Sequence, residues 1–457
     1  MEIQEIQAAV QAQNSFFFSG KTRPYPFRAK ALDDLLEAVR SGQDRLLQAL
    51  ESDLNKPRSE GYMTEVGLAL AEIKYARSHL RRWMKTRRVP SPLAQIPSRS
   101  YICPEPFGTV LIMAPWNYPV LLCLQPLAAA IAAGNTVVLK PSAYAPATSA
   151  ALAQIISTVF PPEYVTVIQG GRAENTGLLE QKFDFIFFTG SPSVGHLVMS
   201  KASEHLTPVC LELGGKSPVI VDETTDLQVA ARRIAFGKTV NAGQTCVAPD
   251  YLLIAAPVKE RFISFYEQAL REFFPDGDYS TFPCIINDKH FGRVTSLIDP
   301  AKVVIGGRTE LQRRFIEPTV MDNVSWDDPV MGQEIFGPVL PVITYDNLDE
   351  ALNIVASRPK PLALYLFTAD ARTREKVLSR CSFGGGCIND TLVHLSSEHL
   401  PFGGVGNSGM GSYHGKQSFM TFTHYRSILE RGTWLDIRMR YRPYTRSKEK
   451  LLRKFLG

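Results

Sequence analysis

The sequence predicts an α/β protein that is built on parallel sheets. Its 457 residues exceed what one ordinary hydrophobic core accommodates, so two or three lobes are expected. From Gly108 onward, short apolar strands alternate with helices, and a second alternation of the same kind begins at Pro218. Because such alternation indicates a parallel sheet with crossover helices, we expect a Rossmann-like, doubly wound domain followed by a second α/β domain.

The first hundred residues are predicted to be helical and to end in an extended segment. Basic residues close the third helix, which is favourable beside the negative end of a helix dipole. A proline-rich break follows at 89–93, and the alternation around Pro97 to Cys103 indicates an extended hairpin. The expected helices are Leu32 to Val39, Arg45 to Leu54 and Glu65 to Met84.

The two α/β regions are assigned from short apolar runs and the helical patterns between them. In the first region we expect strands at Thr109 to Ala114, Thr136 to Leu139, Val165 to Ile168 and Phe183 to Phe188, with helices at Leu121 to Ala133, at Ala147 to Val159 and from near Val194. In the second region we expect strands at Pro218 to Val221, Tyr251 to Ala255, Val303 to Ile305, Val339 to Thr344 and Leu362 to Phe367, with a helix near Leu227 to Phe236.

Composition is that of a globular protein in a reducing compartment. Apolar residues make up 45% and charged residues 21% of the chain. The acidic start predicts no secretory signal, and the longest apolar run, 120–133, is too short to span a bilayer. The seven cysteines form no CxxC pair, so we expect free thiols, no metal site and a cytoplasmic location.

The positive charge is concentrated at the C-terminal end. Residues 438–457 contain eight Lys or Arg and one acid, so this tail carries +7 and the rest of the chain −2. The body therefore has no charge excess of the kind that attracts nucleic acid. We favour a solvated tail, and the alternative is an amphipathic anchor on an anionic membrane surface.

Three local patterns contain residues suited to chemistry. Gly190 and Gly195 lie between an apolar strand and a helix, where backbone amides can bind a phosphate, although an ordinary tight turn has the same pattern. Glu212 follows an apolar run, which raises a carboxyl pKa toward that of a general base, although a solvated strand-end charge is the commoner case. Cys246 follows a polar, glycine-containing turn whose amides can depress a thiol pKa and stabilise an oxyanion, although most cysteines are buried apolar residues.

Together, seven motifs in order resemble those of the aldehyde dehydrogenase superfamily, from about residue 15 to residue 430. The spacing of 34 positions between Glu212 and Cys246 matches its two active-site signatures. The motifs are PWNYP at 115–119, KPS at 140–142, FTGS at 188–191, ELGGK at 212–216, GQTC at 243–246, EIFGP at 334–338 and PFGG at 401–404. The short N-terminal region, Leu206-Thr-Pro208, Asn389-Asp390 and the 401–415 segment resemble the class 3 branch, which oxidises medium- and long-chain aliphatic and aromatic aldehydes.

The resemblance implies a catalytic cysteine mechanism with NAD or NADP. Cys246 would attack the aldehyde, Asn117 and the Cys246 backbone N–H would hold the oxyanion, and Glu212 would activate the water that hydrolyses a thioester. Tyr118 and Thr245 would line the aldehyde channel, whereas His394, His399 and His414 have no expected chemical role. The implied cofactor-binding residues are Lys140, Gly190, Ser191, Val194, Gly195, Leu213, Glu334 and Phe336.

The resemblance also implies a domain division and a homodimer. Residues 1–84 and 109–211 would bind the cofactor, and residues 212–394 would form the catalytic domain. Segments 85–108 and 395–435 would serve oligomerisation or bridging, and 436–457 would be the basic tail. Many relatives have an acid at position 143 that repels the 2′-phosphate of NADP, and the chain has Ala143 there, so both cofactors should be accepted.

Two rival functions remain open from the residues. Cys246 beside a base could act as a cofactor-independent esterase or thioesterase, but no histidine is placed as its obvious partner and Glu334 would then be idle. A non-catalytic binding protein on the same scaffold would not need Cys246, Glu212 and Asn117 together. Reduction of NAD(P) by an aldehyde separates both rivals from a dehydrogenase.

Overall fold

The computed structural model describes residues 2–436 and 438–456 and has the α/β fold that the sequence predicts. Its strands form two large sheets and two small ones. The strands are β1 (Arg87–Val89), β2 (Ser98–Pro106), β3 (Thr109–Met113), β4 (Thr136–Lys140), β5 (Val165–Val167), β6 (Phe185–Gly190), β7 (Val209–Leu213), β8 (Pro218–Val221), β9 (Tyr251–Ala255), β10 (Val303–Ile305), β11 (Thr309–Glu310), β12 (Phe315–Ile316), β13 (Thr319–Met321), β14 (Val339–Tyr345), β15 (Ala363–Phe367), β16 (Gly385–Ile388), β17 (Gly409–Met410) and β18 (Thr423–Arg431).

Helices pack on the sheets, and the first five precede β1 in the chain. They are α1 (Ile3–Phe18), α2 (Tyr25–Ser41), α3 (Gln43–Leu54), α4 (Arg58–Gly61), α5 (Gly67–Trp83), α6 (Leu121–Ala133), α7 (Pro146–Val159), α8 (Arg172–Leu179), α9 (Pro192–Ser203), α10 (Leu227–Thr239), α11 (Lys259–Phe273), α12 (Asp288–Thr295), α13 (Leu348–Ala356), α14 (Ala371–Arg380), α15 (Gly415–Thr421) and α16 (Arg446–Leu456). Among the residues described, no helix combines the length and apolar character that a membrane span requires.

The first large sheet has the strand order β17-β7-β6-β3-β4-β5 and is parallel from β7 to β5. Its central strands β3 and β4 are buried along their whole length. Continuous apolar strands are expected where helices cover both faces of a parallel sheet. The loops that contain Trp116, Ser191 and Gly214 follow the carboxyl ends of β3, β6 and β7, so they meet at one edge of the sheet.

The second large sheet has the order β10-β13-β14-β9-β8-β15-β16, with parallel pairing except between β10 and β13. Residues 214–217 are all that separates β7 of the first sheet from β8 of the second. The carboxyl edge of one sheet therefore faces the amino edge of the other, and the loops that precede β9, β14 and β15 enter the space between them.

The third sheet, β1-β2-β18, confirms the extended hairpin expected near Pro97 to Cys103. Strand β18 pairs with β2 over nine residues and brings the C-terminal arm beside the hairpin. Strand β17 also lies in segment 395–435, but it pairs with β7 opposite Glu212. Part of the segment assigned to oligomerisation and bridging therefore forms one edge of the first large sheet.

Several elements differ from the sequence prediction. None of the helices assigned in the first hundred residues begins before Leu32, whereas α1 lies there and buries Ile6 and Val10 against the first sheet. The helix expected from Glu65 instead begins with a π-helical turn at Tyr62–Val66. Glu212 lies inside β7 and not beyond its end, because β6 and β17 pair on both sides of that position.

Candidate active site

A cavity of about 560 Å³ opens between the two large sheets. This volume is within the range of small-molecule sites, about 300–1,000 Å³. The sequence-predicted site residues that line it are Asn117, Gly190, Ser191, Glu212, Leu213, Cys246, Glu334 and Phe336. The sheet topology thus brings together residues that are more than 200 positions apart in the chain.

Cys246 follows a strained loop that holds it at the cavity wall. Asn241 and Ala242 have φ of 52°, and Gly243 has φ of 70°, so three consecutive residues are left-handed. Such conformations are costly for residues other than glycine and concentrate at functional sites. A Cβ at Gly243 would collide with the carbonyl of Gly337, which shows how closely this loop packs against the segment after Glu334.

The thiol of Cys246 is more basic than the sequence interpretation assumed. The N–H groups of Cys246 and Val247 lower its pKa, as expected of a turn with free amides. Burial nevertheless raises that pKa strongly, and the carboxyls of Glu334 and Glu212 raise it further. The expectation of a depressed pKa is therefore wrong in its net direction, because desolvation outweighs the two hydrogen bonds.

Asn117 lies beside the Cys246 loop. Its side-chain Nδ2 donates to the carbonyl of Gln244 at 3.0 Å, two residues before Cys246. Its own carbonyl accepts from Asn241 Nδ2 at 2.7 Å. Asn117 is only 2% exposed, so its amide is held in one orientation at the edge of the cavity.

Glu212 is the buried carboxyl opposite this loop. It is 2% exposed, its Oε1 accepts from the Cys210 thiol at 3.9 Å, and within the described chain its Oε2 has no hydrogen-bond partner. Burial raises the pKa of Glu212 well above its usual range. A carboxyl whose pKa is raised this way is suited to accept a proton near neutral pH.

Glu334 is the second carboxyl of the cavity. Burial, with the nearby charge of Asp250, raises its pKa to about 8, and a hydrogen bond from the Gly215 backbone opposes this. Its Oε1 is buried and has no partner among the described residues. A Cβ at Gly214 would collide with the Glu334 carboxyl, so only glycine leaves room for this approach.

Of the other predicted cofactor residues, Gly190, Ser191, Leu213 and Phe336 line the cavity and the rest lie outside it. Ser191 is the N-cap of α9, and Gly195 in the first turn lets this helix pack on Leu213, because a Cβ there would clash with the leucine. Phe336 has φ of 50° and packs edge-on against Trp116, with 5.3 Å between the ring centroids. Val194, Gly195 and Lys140 are outside the set that lines the cavity.

Lys140, Tyr118 and Thr245 form contacts behind the cavity wall. Lys140 Nζ donates to the carbonyls of Pro141 at 2.8 Å and Gly170 at 2.6 Å. The hydroxyls of Tyr118 and Thr245 are 2.6 Å apart. Neither Tyr118 nor Thr245 is among the residues that line this cavity, so their place in an aldehyde channel stays a prediction.

Sequence reasoning assigned no role to three residues that hold the Glu334 segment. Lys216 pairs with Asp250 and donates to the carbonyls of Val330 and Gln333, both at 2.9 Å. Asp250 accepts from the Ile335 N–H at 2.9 Å. Arg293 donates to the carbonyls of Glu334 at 3.1 Å and Ile335 at 2.7 Å. Lys216 is the last residue of the ELGGK motif, and its place in that motif is the sequence signal that could have identified it.

The residues present fit a dinucleotide cofactor. The buried, unpartnered Glu334 Oε1 is an acceptor that a ribose hydroxyl would satisfy. Ser191 is the N-cap of a 12-residue helix and lines the cavity together with Pro192, and a helix N-terminus of this kind would stabilise a pyrophosphate. Phe336 and the Trp116 ring supply an apolar surface beside Cys246. The cavity can thus hold a nicotinamide ribose near both carboxyls and the thiol.

Comparison with known proteins agrees with this geometry. The model of the aldehyde dehydrogenase family matches residues 2–428. A 4,4′-diaponeurosporen-aldehyde dehydrogenase of Staphylococcus aureus is 48% identical over 98% of this chain and 99% of that protein. Aldehyde dehydrogenase family 3 member B1 of Mus musculus is 45% identical over 95% of this chain and 94% of that protein. The second relative agrees with the class 3 resemblance.

Solved structures give the same result. The substrate-bound state of Staphylococcus aureus AldH has a TM-score of 0.97 and 46% identity, with 99% of both chains covered. An indole-3-acetaldehyde dehydrogenase in complex with NAD+ has a TM-score of 0.84 and 27% identity, covering 94% of this chain and 89% of that one. Sequence, fold and site agree: the chain belongs to the aldehyde dehydrogenase family, the NAD(P)-dependent enzymes that oxidise aldehydes.

Proposed function

We propose that this enzyme oxidises medium- and long-chain aliphatic or aromatic aldehydes to carboxylic acids through a covalent bond to Cys246. The observation that carries the proposal is the convergence of Cys246, Glu212 and Glu334 on one cavity. The cavity contains the thiol that would react, the carboxyl that would accept a proton and an unpartnered acceptor for a ribose hydroxyl. The class 3 likeness and the aldehyde in the name of the Staphylococcus aureus relative support the substrate class.

The chemistry begins when the Cys246 thiol releases its proton to solvent water in the open cavity and the resulting thiolate attacks the aldehyde carbon. The oxygen of the thiohemiacetal then carries negative charge, which the Cys246 N–H and the Asn117 amide stabilise; each such donor lowers a barrier by about 3 kcal/mol. When bound, the nicotinamide supplies the acceptor for the hydride that leaves this carbon, and the product on Cys246 is a thioester. Strain in the preceding loop fixes the sulfur for both steps.

Glu212 completes turnover by activating water. Its carboxylate takes a proton from a water molecule, the resulting oxygen nucleophile attacks the thioester carbon, and the Cys246 thiolate leaves as the carboxylic acid is released. The apolar surroundings that raise the pKa of Glu212 make it a stronger base once it is ionised. Phe336 and Glu334 would hold the nicotinamide and its ribose, and Lys140 the adenosine ribose.

We propose that NAD and NADP are both accepted, because Ala143 brings no negative charge to the adenosine side. A preference for NAD beyond about a hundredfold, or roughly 3 kcal/mol, would contradict the proposal.

The decisive experiment compares the wild-type enzyme with Cys246→Ser and with Glu212→Gln. Hexanal, dodecanal and benzaldehyde are supplied with NAD or NADP, and reduction is followed by absorbance. Wild type should reduce the cofactor and Cys246→Ser should not. Hydrolysis of 4-nitrophenyl acetate without cofactor is measured in parallel: ester hydrolysis with no aldehyde-dependent reduction would favour the cofactor-independent hydrolase.

Two sheet edges support the proposal of a homodimer. Strands β16 and β18 each end a sheet and pair on one side only within the described chain. Leu429 of β18 is 47% exposed, although it is a large apolar residue within the strand. Unprotected edges of this kind are suited to pair with a second copy. Light scattering after gel filtration should give twice the 50.8 kDa chain mass.

The basic tail supports a proposal about location: a cytoplasmic enzyme that contacts an anionic membrane surface. Helix α16 carries basic residues and exposes Leu451, and Trp434 and Tyr444 before it are 77% and 65% exposed. Phe455 and Leu456 are further apolar residues of the tail, and their side chains lie outside the described ones. The enzyme should co-sediment with phosphatidylserine vesicles and lose this when residues 438–457 are deleted; unchanged binding would leave a solvated tail.

A further inference from the structure

A buried ion pair lies next to the proposed oxyanion residue. Lys56 Nζ is 2.6 Å from Glu65 Oε1, and both side chains are fully buried, with 0% exposed. Lys56 follows Asn55, whose left-handed backbone ends α3, and Glu65 lies in the π-helical turn at Tyr62–Val66. Single π-helical turns within α-helices are frequent at functional sites.

The pair holds the segment that contains Asn117 at two points. Lys56 Nζ also donates to the carbonyl of Asn117 at 3.3 Å and lies 4.4 Å from the centre of the Tyr118 ring. The second oxygen of Glu65 accepts from the N–H of Val120 at 2.8 Å and of Leu121 at 3.4 Å. A carboxylate here satisfies the first free amides of α6 and is favoured by the helix dipole.

The contacts continue from Asn117 to the Cys246 loop. Asn241 Nδ2 donates to the same Asn117 carbonyl that Lys56 contacts, and also to the carbonyl of Gln244 at 3.1 Å. The Asn241 N–H donates to Glu60 at 2.8 Å. The N-terminal region thus reaches both the residue that would hold the oxyanion and the strained loop before the thiol.

Energetics argue against the pair as a simple stabilising contact. Removing two charges from water has a large desolvation cost, and apolar residues of similar volume often give a folded state that is equally stable or more stable. The remaining lone pairs and protons of this pair are used on backbone groups of residues 117–121. Its hydrogen bonds therefore fix the orientation of that segment.

We propose that Lys56 and Glu65 are positioning residues that orient the Asn117 amide relative to Cys246. This inference rests on the proposed function, because it assigns Asn117 to the oxyanion. Displacing Asn117 weakens stabilisation of charge on the reacting oxygen and leaves the glycine turn at Gly190 in place. The turnover rate depends on the pair, and cofactor affinity does not.

The test is the double variant Lys56→Met/Glu65→Met, which removes both charges and leaves neither one buried alone. We expect kcat with hexanal and NAD to fall about 10- to 100-fold, the range for a misplaced active-site group. NAD affinity, measured by quenching of protein fluorescence, should change less than twofold. The matched control Lys30→Met/Asp34→Asn removes an exposed ion pair and should keep wild-type kcat.

A milder variant keeps the proposal testable if the double variant does not fold. Glu65→Gln retains one oxygen acceptor for the α6 amides and loses the charge that pairs with Lys56. We expect a severalfold lower kcat with unchanged NAD affinity and wild-type far-ultraviolet circular dichroism.

Each outcome separates the inference from the function on which it rests. Wild-type kcat in Glu65→Gln, with Cys246→Ser inactive, overturns the inference alone. Loss of kcat and of NAD affinity in equal proportion also overturns it, because a general loss of structure would do this. Aldehyde oxidation by Cys246→Ser overturns the proposed function itself.

Discussion

The Cys210 thiol and the Glu212 carboxyl lie on the same face of β7, with 3.9 Å between Sγ and Oε1. Both side chains are almost fully buried. A thiol is a weak donor and stabilises a carboxylate less than a backbone amide would. Glu212 is therefore held in place without the strong hydrogen bonds that would keep its pKa low.

This environment predicts a pH dependence of turnover. Since burial raises the pKa of Glu212, more of the base becomes ionised as pH rises, and kcat should increase from pH 6 to pH 9. Glu212→Gln should lower kcat about a hundredfold or more and flatten this profile, while thioester accumulates on the enzyme. Stopped-flow absorbance and intact-protein mass spectrometry measure both effects. An unchanged kcat in the variant would exclude Glu212 as the base.

The reactivity of Cys246 should also depend on pH. Because burial raises its pKa, the thiol is mostly protonated at pH 7, and inactivation by iodoacetamide should accelerate about tenfold per pH unit from pH 7 to pH 9. Residual activity against time gives the rate, and Cys246→Ser identifies the labelled site by mass spectrometry. A rate that is the same at pH 7 and pH 9 would show that the thiol is already ionised.

Glu334 should destabilise the fold as pH rises. Its folded pKa of about 8 exceeds the usual 4.5, so its contribution to stability is complete below pH 4.5 and is lost as pH rises through 8. The Tm of Glu334→Gln relative to wild type should therefore increase from pH 5 to pH 9. Calorimetry at both values measures it, with exposed Glu223→Gln as the control. An equal Tm difference at the two values would contradict the raised pKa.

Ala143 should determine how NADP is treated. Ala143→Glu adds a carboxylate at an exposed position, and like-charge repulsion should lower kcat/KM for NADP at least about tenfold, with that for NAD changed less than threefold. The control Ala143→Gln adds the same volume without charge and should keep the wild-type ratio. Steady-state kinetics with both cofactors measures this, and equal losses for NAD and NADP would place position 143 away from the 2′-position.

The fold was predictable where a local pattern decides the structure. The bounds of β8, β9, β10 and α6 agree with the sequence prediction residue for residue, because each is a continuous apolar run between clear end signals. Helix α11 was not predicted, although its apolar residues recur at helical spacing. Strand β17 has two residues, and only its pairing with β7 defines it.

The site was predictable as a set of residues and not as an electrostatic environment. Motif order identified Cys246, Glu212 and Glu334, which the structure brings to one cavity. The direction of the Cys246 pKa shift was wrong, because burial depends on elements far away in the chain. The Lys56–Glu65 pair was missed for the same reason, since its partners become neighbours only after the N-terminal helices pack on α6.

The link of four residues between β7 and β8 constrains how the enzyme can open. Lys216 within it is tied to Asp250 and to two carbonyls of the loop before β14. Moving the two sheets apart would therefore separate Glu212 from Cys246 and break the contacts of Lys216. We expect ligand exchange to proceed by rearrangement of loops at the rim, so that the catalytic groups stay aligned from one turnover to the next.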